Sequence, residues 1–330
     1  MAKIVLGIGA SHSPLMALEG RRWAERAADD RRNQRLNTPD GRYISYDQLA
    51  AETGSPWEAE ATEERFLALD AASQAALDRL ADELETARPD VVVIVGDDQG
   101  ELFSPSSMPA LGVFHGAEIV MHPREITPST PAWRGTVAKG YAMDAAHVFP
   151  GQPDFARAII TGLTEREFDV GAYSRVEEPE KLGFGHAYGF IIARLFRGRP
   201  VPVVPVLLNT YFPPNVPTPK RCYDLGRALN DVASAYPDDL RIAVAASGGL
   251  SHFVVDEDLD REIVDAIREG KNEVLRRLPR HRLISGSSEI LNWVVTAGMV
   301  EGMANKWIEY VPIRRTPAGT GIGAAFSAWG

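Results

Sequence analysis

The chain has 330 residues, of which 45% are apolar and 24% are charged, the ordinary balance of a globular protein with a substantial core. Its formal net charge of −10 argues against generic binding to nucleic acid or to an anionic membrane, because no basic excess exists to neutralise phosphates. The single cysteine, Cys222, excludes an intramolecular disulfide and a cysteine-based zinc site.

Four short apolar runs rich in valine and isoleucine predict β-strands. They are Lys3–Gly9, Val91–Gly96, Val201–Leu208 and Ile242–Ala246. Their hydrophobicity is continuous rather than alternating, which is typical of strands that are covered on both faces. We therefore expect these strands to form the centre of a sheet that lies between two layers of helices.

Amphipathic stretches of helical periodicity separate the predicted strands. The helices we expect are Thr62–Ala87, Pro153–Glu165, Ala187–Phe196, Pro219–Ala235 and Asp258–Arg277. The alternation of strands and helices predicts an α/β fold, in which a central, mainly parallel or mixed sheet carries helices on both faces. Since no linker divides the chain, we expect residues 1–330 to form one three-layer domain.

The stretch 18–57 breaks this alternation. It is charged, with six arginines between positions 21 and 35, and it contains the turn signal Thr38-Pro39-Asp40-Gly41. We interpret the stretch as an insertion after the first strand, part helix and part lid. Its arginines are consistent with a solvated helix face or with a clamp for an aromatic carboxylate, which the guanidinium fork matches bidentately.

Polar side chains stand where the predicted strands end, and ligands of α/β sheets gather at the carboxyl ends of strands. The candidates are His12 after the first strand, Asp97, Asp98 and Gln99 after the second, Asn209 and Tyr211 after the third, and Ser251 and His252 after the fourth. On residue types alone, these positions are consistent with hydrogen-bonded loops or with a catalytic site.

Five segments spread over nearly the whole chain carry a family resemblance. They are ASHSP (10–14), LNTYFPPNVPTPKRC (208–222), SGGLSH (247–252), SSEILNW (287–293) and RTPAGTGIGAAF (315–326). In this order and spacing they resemble landmarks of the class III extradiol dioxygenases, the family of the protocatechuate 4,5-dioxygenase catalytic subunit. Within that family the segments look most like those of gallate and methylgallate dioxygenases.

The resemblance implies a non-haem Fe(II) held by two histidines and one glutamate, with O₂ and the catechol oxygens at the open positions. By match to the motifs, His12 and Glu289 would be metal ligands, and His252 would be the catalytic acid–base residue. His186 would act in the substrate pocket. An imidazole suits proton transfer because its ordinary pKa lies near neutrality.

The chain departs from the family pattern at Gln99. The second histidine ligand of the family follows a strand in an Asn-Asp-His context, whereas this chain has Asp97-Asp98-Gln99. An amide oxygen is a weak, neutral ligand, so we expect Asp97, Asp98 or Gln99 to complete the metal shell, with a carboxylate preferred over the amide. The sequence also leaves open that a histidine outside the motifs, such as His115, supplies the third ligand, or that another divalent metal or none is bound.

The preferred function is the opening of the ring of a catecholic or gallate-like aromatic acid with O₂ at a non-haem Fe(II). Asn209, Tyr211 and Ser251 are expected to contact the substrate. One alternative is non-oxidative C–C hydrolysis, a lyase reaction or decarboxylation of a polyphenol-like acid in the same pocket, with an altered metal or none. A second alternative is an inactive binding subunit.

The expected partners are therefore a small aromatic substrate and O₂, with neither nucleic acid nor a membrane. No apolar run of the sequence reaches the length of a membrane span, and the apolar run at the N-terminus is too short for a signal peptide. We accordingly expect a cytoplasmic protein. We also expect the protein to form a homo-oligomer.

Overall fold

The computed structural model describes residues 1–330, which form a nine-stranded mixed sheet with helices on both faces and two small two-stranded sheets. The strands are β1 (Lys3–Ala10), β2 (Leu36–Asn37), β3 (Tyr43–Ile44), β4 (Val91–Asp97), β5 (Leu111–Phe114), β6 (Glu118–Val120), β7 (Val148–Pro150), β8 (Gly171–Tyr173), β9 (Val203–Leu208), β10 (Arg241–Ser247), β11 (His252–Val254), β12 (Asn305–Arg314) and β13 (Thr320–Trp329).

Ten α-helices accompany these strands. They are α1 (Trp23–Asp30), α2 (Tyr46–Thr53), α3 (Glu63–Ala87), α4 (Ala132–Gly140), α5 (Pro153–Thr164), α6 (His186–Leu195), α7 (Pro219–Ala235), α8 (Glu257–Glu269), α9 (Asn272–Arg276) and α10 (Ile290–Met299). None of the ten combines the length and the apolar character that crossing a bilayer requires.

The large sheet has the strand order β11-β13-β1-β10-β4-β9-β5-β8, with β12 paired to the other edge of β13. The four central strands β1, β10, β4 and β9 run parallel, whereas β13 is antiparallel to β1. Two large apolar clusters cover the two faces of the sheet, which explains the unbroken hydrophobicity of these strands. The residues that follow β1, β4 and β10 therefore meet at one edge.

The predicted α/β fold and the four predicted strands are confirmed, with boundaries shifted by one or two residues. The helix expected over 258–277 is instead two helices, α8 and α9. Gly270 separates them because it takes the left-handed conformation, with φ of +66°, that ends a helix. The hairpin of β12 and β13 is an element that the sequence analysis missed.

The stretch 18–57 contains α1, the short hairpin of β2 and β3, and α2. A buried ion pair ties α1 to the turn between β12 and β13, because Arg315 Nε lies 2.7 Å from Asp30 Oδ2. Thr320 Oγ1 donates a further hydrogen bond of 2.8 Å to the same oxygen. Burial opposes the charge of Asp30, but Arg315, Arg26 and Thr320 together outweigh burial and hold the pKa of this carboxyl below its ordinary value. The stretch is thus anchored to the sheet.

Candidate active site

A cavity of about 550 Å³ opens where β1, β4 and β10 end, within the range of about 300–1,000 Å³ that is typical of ligand pockets. Its floor carries His12, Gln99, His186, His252 and Glu289. The remaining lining residues include Ser13, Asp29, Tyr211 and Phe253, the aromatic residues Trp133 and Tyr141, and the arginines Arg26, Arg32, Arg124 and Arg134.

Glu289 is the buried carboxylate at the centre of the floor, and it directly precedes α10. Its Oε2 accepts a hydrogen bond of 2.9 Å from the backbone N–H of Gly249, and its Oε1 accepts one of 3.2 Å from Gln99 Nε2. Burial opposes the charge, but His12 and the positively charged His186, among the surrounding imidazoles, help to outweigh burial and lower the pKa of Glu289 below its ordinary range. Glu289 is therefore an ionised carboxylate.

His12 follows β1, and its Nδ1 lies 2.9 Å from Ser247 Oγ. That hydroxyl donates its proton to the carbonyl of Ala187, so it accepts a hydrogen bond from His12 Nδ1. His12 Nε2 consequently keeps a lone pair; it is buried without a hydrogen-bond partner and lies 3.3 Å from Glu289 Oε2. Two acceptors this close, out of contact with water, require a cation between them, either a proton or a metal ion.

His252 directs its second ring nitrogen to the same place. Its Nδ1 lies 2.9 Å from the carbonyl of Leu250, which can only accept, so the ring proton is on Nδ1. Burial lowers the pKa of His252 and outweighs the opposite effect of Glu289. The imidazole is therefore neutral, and Nε2, 3.9 Å from Glu289 Oε2, is available as a base.

His186 is the first residue of α6 and lies edge-on to His12, with ring centroids 4.7 Å apart. Its Nδ1 donates a hydrogen bond of 2.6 Å to Glu101 Oε1. The other ring nitrogen, Nε2, takes no part in this bond. Burial alone would lower the pKa of His186, but Glu101 outweighs it and raises this pKa to about 9. Burial likewise opposes the charge of Glu101, whose pKa falls to about 2 because His186 and the N–H of Gln99 stabilise the carboxylate.

Gln99 turns its amide nitrogen toward the carboxylates. Nε2 lies 3.1 Å from Asp97 Oδ2 and 3.2 Å from Glu289 Oε1, so Gln99 donates hydrogen bonds to a candidate ligand. Asp98 accepts hydrogen bonds from three backbone N–H groups within 100–103 and does not line the cavity. Asp98 is thus engaged with the backbone outside the cavity, whereas Gln99 lines the cavity with its amide nitrogen directed at Glu289.

Two glycines allow this close packing. A Cβ on Gly249 would lie 2.2 Å from Cε1 of His252, so any side chain there would displace the imidazole. A Cβ on Gly185 would lie 2.5 Å from Cδ of Glu101 and would separate that carboxylate from His186. Both glycines therefore permit the approach of a functional side chain to the backbone.

The residues expected to contact substrate divide into two groups. Tyr211 lines the cavity, and its hydroxyl lies 3.4 Å from Ser285 Oγ. Asn209 instead bonds to the carbonyl of Phe212 and stabilises the proline-rich loop, and Ser251 donates its hydroxyl to Asp260. Neither Asn209 nor Ser251 lines the cavity, because Asn209 is engaged within its own loop and Ser251 is engaged with α8.

Sequence reasoning missed several residues of the cavity. Glu101 stands in the polar segment after β4, and only the fold reveals that it holds His186, 85 positions away. Tyr141, Arg124 and Arg134 come from segments without a motif, so nothing in the sequence marks them. His115, the off-motif histidine considered above, is not among the lining residues.

The donor set fits a divalent metal ion. His12, His186 and Glu289 each offer one ligand atom, and these atoms lie within 4.8 Å of one another. The Nδ1 atoms of both histidines are held by a second protein group, which is how proteins orient metal-binding imidazoles. The orphaned Nε2 of His12 beside a carboxylate is the strongest sign that a cation belongs there.

Two comparisons with known proteins bear on this site. Residues 68–321 match the family model of the catalytic LigB subunit of aromatic ring-opening dioxygenase. A gallate dioxygenase of Pseudomonas putida is 27% identical over 158 residues, and the match spans 45% of this chain and 45% of that enzyme. The chain thus matches less than half the length of this relative. Gln99, His186, His252 and Glu289 lie inside the family match, and His12 precedes it.

The pair of His186 and Glu101 gives a pH-dependent prediction for the metal-free protein. His186 should titrate with a pKa of about 9. Glu101→Gln should lower that pKa, because it removes the negative charge that opposes the effect of burial on the imidazole. The stability that Glu101 contributes through His186 should be fully present below the ordinary imidazole pKa of about 6.5, and it should be lost as the pH rises through about 9.

The measurement is an NMR titration of the imidazole Cε1–H signals after removal of metal by chelation. An unchanged His186 pKa in the Glu101→Gln variant would contradict the account of this pair.

Proposed function

The chain belongs to the family of catalytic LigB subunits of aromatic ring-opening dioxygenases, and from this premise we propose that it opens the ring of a catecholic or gallate-like aromatic acid with O₂. The family match confirms the resemblance inferred from five segments of the sequence. The observation that carries the proposal is the convergence of His12, His252 and Glu289 on one cavity. There the lone pair of His12 Nε2 faces the buried carboxylate of Glu289.

The metal set of this proposal is His12, His186 and Glu289. Two imidazoles and one carboxylate are the ligands that non-haem Fe(II) oxygenases use, with further positions left open. Ferrous iron held there supplies the electron chemistry by which O₂ reacts with an aromatic diol. In this set His186, at the start of a helix, provides the imidazole that the family pattern would place at Gln99.

Gln99 then has a supporting role. Its amide donates hydrogen bonds to Glu289 and to the buried Asp97, so it orients the carboxylate ligand and stabilises its charge. Asn292 donates a hydrogen bond to the other oxygen of Asp97, at 3.2 Å. The carboxylates are thus held in place without a second strand-end histidine.

His252 is the acid–base residue of the proposal. As a neutral imidazole it takes the proton of a substrate hydroxyl on Nε2, while the carbonyl of Leu250 holds the ring in the required tautomer. Loss of this proton makes the diol more electron-rich than its protonated form and therefore more reactive toward O₂. Both oxygen atoms enter the product, and the C–C bond next to the diol breaks.

A non-oxidative reaction is the second candidate, and one observation favours it. Without metal, the cavity is lined by a protonated His186 and a neutral His252, which are an acid and a base in one pocket. Such a pair suits the cleavage of a C–C bond by proton transfer alone. The two candidates differ in their need for O₂.

The metal assignment predicts which histidines govern iron affinity. His12→Ala and His186→Ala should each weaken anaerobic Fe(II) binding by about 100-fold or more, because a ligand loss exceeds the roughly 10–100-fold effect of losing a supporting group. His252→Ala should leave the affinity nearly unchanged, and so should the control His147→Ala at an exposed position.

Competition with a chromogenic chelator measures these affinities, and circular dichroism checks that each variant is folded. Fe(II) binding that survives in His186→Ala and is lost in Gln99→Ala would show that Gln99, and not His186, is the third ligand.

The activity itself is tested with an oxygen electrode and iron-loaded protein on a panel of catecholic and gallate-like acids. We expect one O₂ consumed for each ring opened, and no turnover when one hydroxyl of the diol is methylated. His252→Gln should lower the rate by about 10²–10⁴-fold while iron remains bound, since proton transfer contributes about that much. Product formed under anaerobic conditions would contradict ring opening by O₂ and support the non-oxidative candidate.

A further inference from the structure

One wall of the cavity is basic although the chain as a whole carries a net charge of −10. Four arginines line it, and Asp29 is the one carboxylate among them. The arginines are Arg26, Arg32, Arg124 and Arg134. Arginines that converge on one cavity favour an anionic ligand.

Arg32 already forms an ion pair, because its Nη2 lies 2.5 Å from Asp29 Oδ1. Its side chain is also largely exposed to solvent. Arg124 is different. Its closest carboxylate is Glu101, and their 3.7 Å separation is too long for a hydrogen bond, since Glu101 Oε1 is bonded to His186. Arg134 is in the same situation, with Asp29 Oδ2 at 3.8 Å. Two guanidinium groups in this wall therefore retain donors for a ligand.

Aromatic rings fix the positions of these guanidinium groups. Cζ of Arg26 and Cζ of Arg134 lie 5.8 Å and 5.3 Å from the ring of Trp133. Cζ of Arg124 lies 5.7 Å from the ring of Tyr141. Such cation–π contacts restrict the mobile side chains before any ligand arrives, which lowers the entropy lost on binding.

The basic wall is close to the histidines. The ring of Tyr141 contacts Arg124 on one side and lies 5.7 Å from the ring of His186 on another. One aromatic ring thus separates the guanidinium of Arg124 from the candidate metal ligands. A ligand with one end at the histidines can reach the arginines with an acidic substituent on the far side of its ring.

We propose that Arg124 and Arg134 are the specificity-determining residues of the cavity and bind the carboxylate of an aromatic acid. Arg26 contributes positive charge from the same wall, although one of its donors is used by Asp30 at 2.8 Å. The inference rests on the proposed function for the end of the ligand that faces the histidines. The arginine fork selects a planar carboxylate, which accepts two parallel hydrogen bonds, over a neutral ester or amide.

The test uses an aromatic acid without a diol, so that it requires neither metal nor turnover. Calorimetry measures the binding of 3,5-dimethoxybenzoate and of its methyl ester to metal-free protein. The wild type should bind the acid at least about tenfold more tightly than the ester, because hydrogen bonds to charged groups carry the difference. Arg124→Gln and Arg134→Gln should each lose about tenfold for the acid and almost nothing for the ester.

Arg124→Lys should recover part of the loss, since it restores the charge without the fork. The matched control is Arg157→Gln, which removes an exposed arginine paired with Asp154 on α5, and it should bind like the wild type. Equal affinity for acid and ester, no measurable binding of the acid, or full affinity in both glutamine variants would overturn the proposal. Inorganic phosphate that competes as tightly as the acid would overturn it too, because the wall would then be a general anion site.

The outcome also separates this inference from the proposed function. Acid-selective binding that depends on Arg124, in a protein that opens no ring, would sustain the inference and reject the activity. Ring opening with a KM for the acid that is unchanged in both glutamine variants would reject the inference and leave the activity standing.

Discussion

The charge of one buried carboxylate, Glu289, is the constraint that organises this site. An ionised carboxylate out of water is costly unless hydrogen bonds and positive charge compensate it. The backbone N–H of Gly249 and the amide of Gln99 supply hydrogen bonds, and the ring nitrogens of His12 and His252 face the carboxylate. Because His12 Nε2 carries a lone pair, the arrangement is complete only when a cation lies between them.

The fold meets this constraint by bringing distant strand ends together. Parallel pairing of β1 with β10 and of β10 with β4 places the residues after each strand at one edge of the sheet. The imidazoles arrive already oriented, because each Nδ1 bonds to a fixed group of the protein: Ser247 Oγ, Leu250 O or Glu101 Oε1. The stretch 18–57, anchored through Asp30 and Arg315, contributes Arg26 and Arg32 to the basic wall of the cavity.

Much of the fold and the centre of the site follow from local patterns in the sequence. Apolar runs with small polar residues at their ends placed His12 and His252 together, and motif resemblance added Glu289. The pairing of Glu101 with His186 was beyond such patterns, since it depends on a tertiary contact over 85 positions. The strand β13 was missed because its glycines and alanines have weak strand propensity and are stabilised by pairing with β1, β11 and β12. The contact of the Gln99 amide with Glu289 was likewise beyond local patterns, since the two residues are 190 positions apart.

The most direct test of the account is a crystal structure of the iron-loaded protein, grown without O₂, with anomalous diffraction recorded at the iron absorption edge. The account predicts one strong peak within bonding distance of His12, His186 and Glu289, with Gln99 still hydrogen-bonded to the carboxylate. A peak bonded to Gln99 or Asp98 in place of His186 would contradict the proposed ligand set. A fully iron-loaded protein with its peak outside this cavity would contradict the account of Glu289 as the centre of the site.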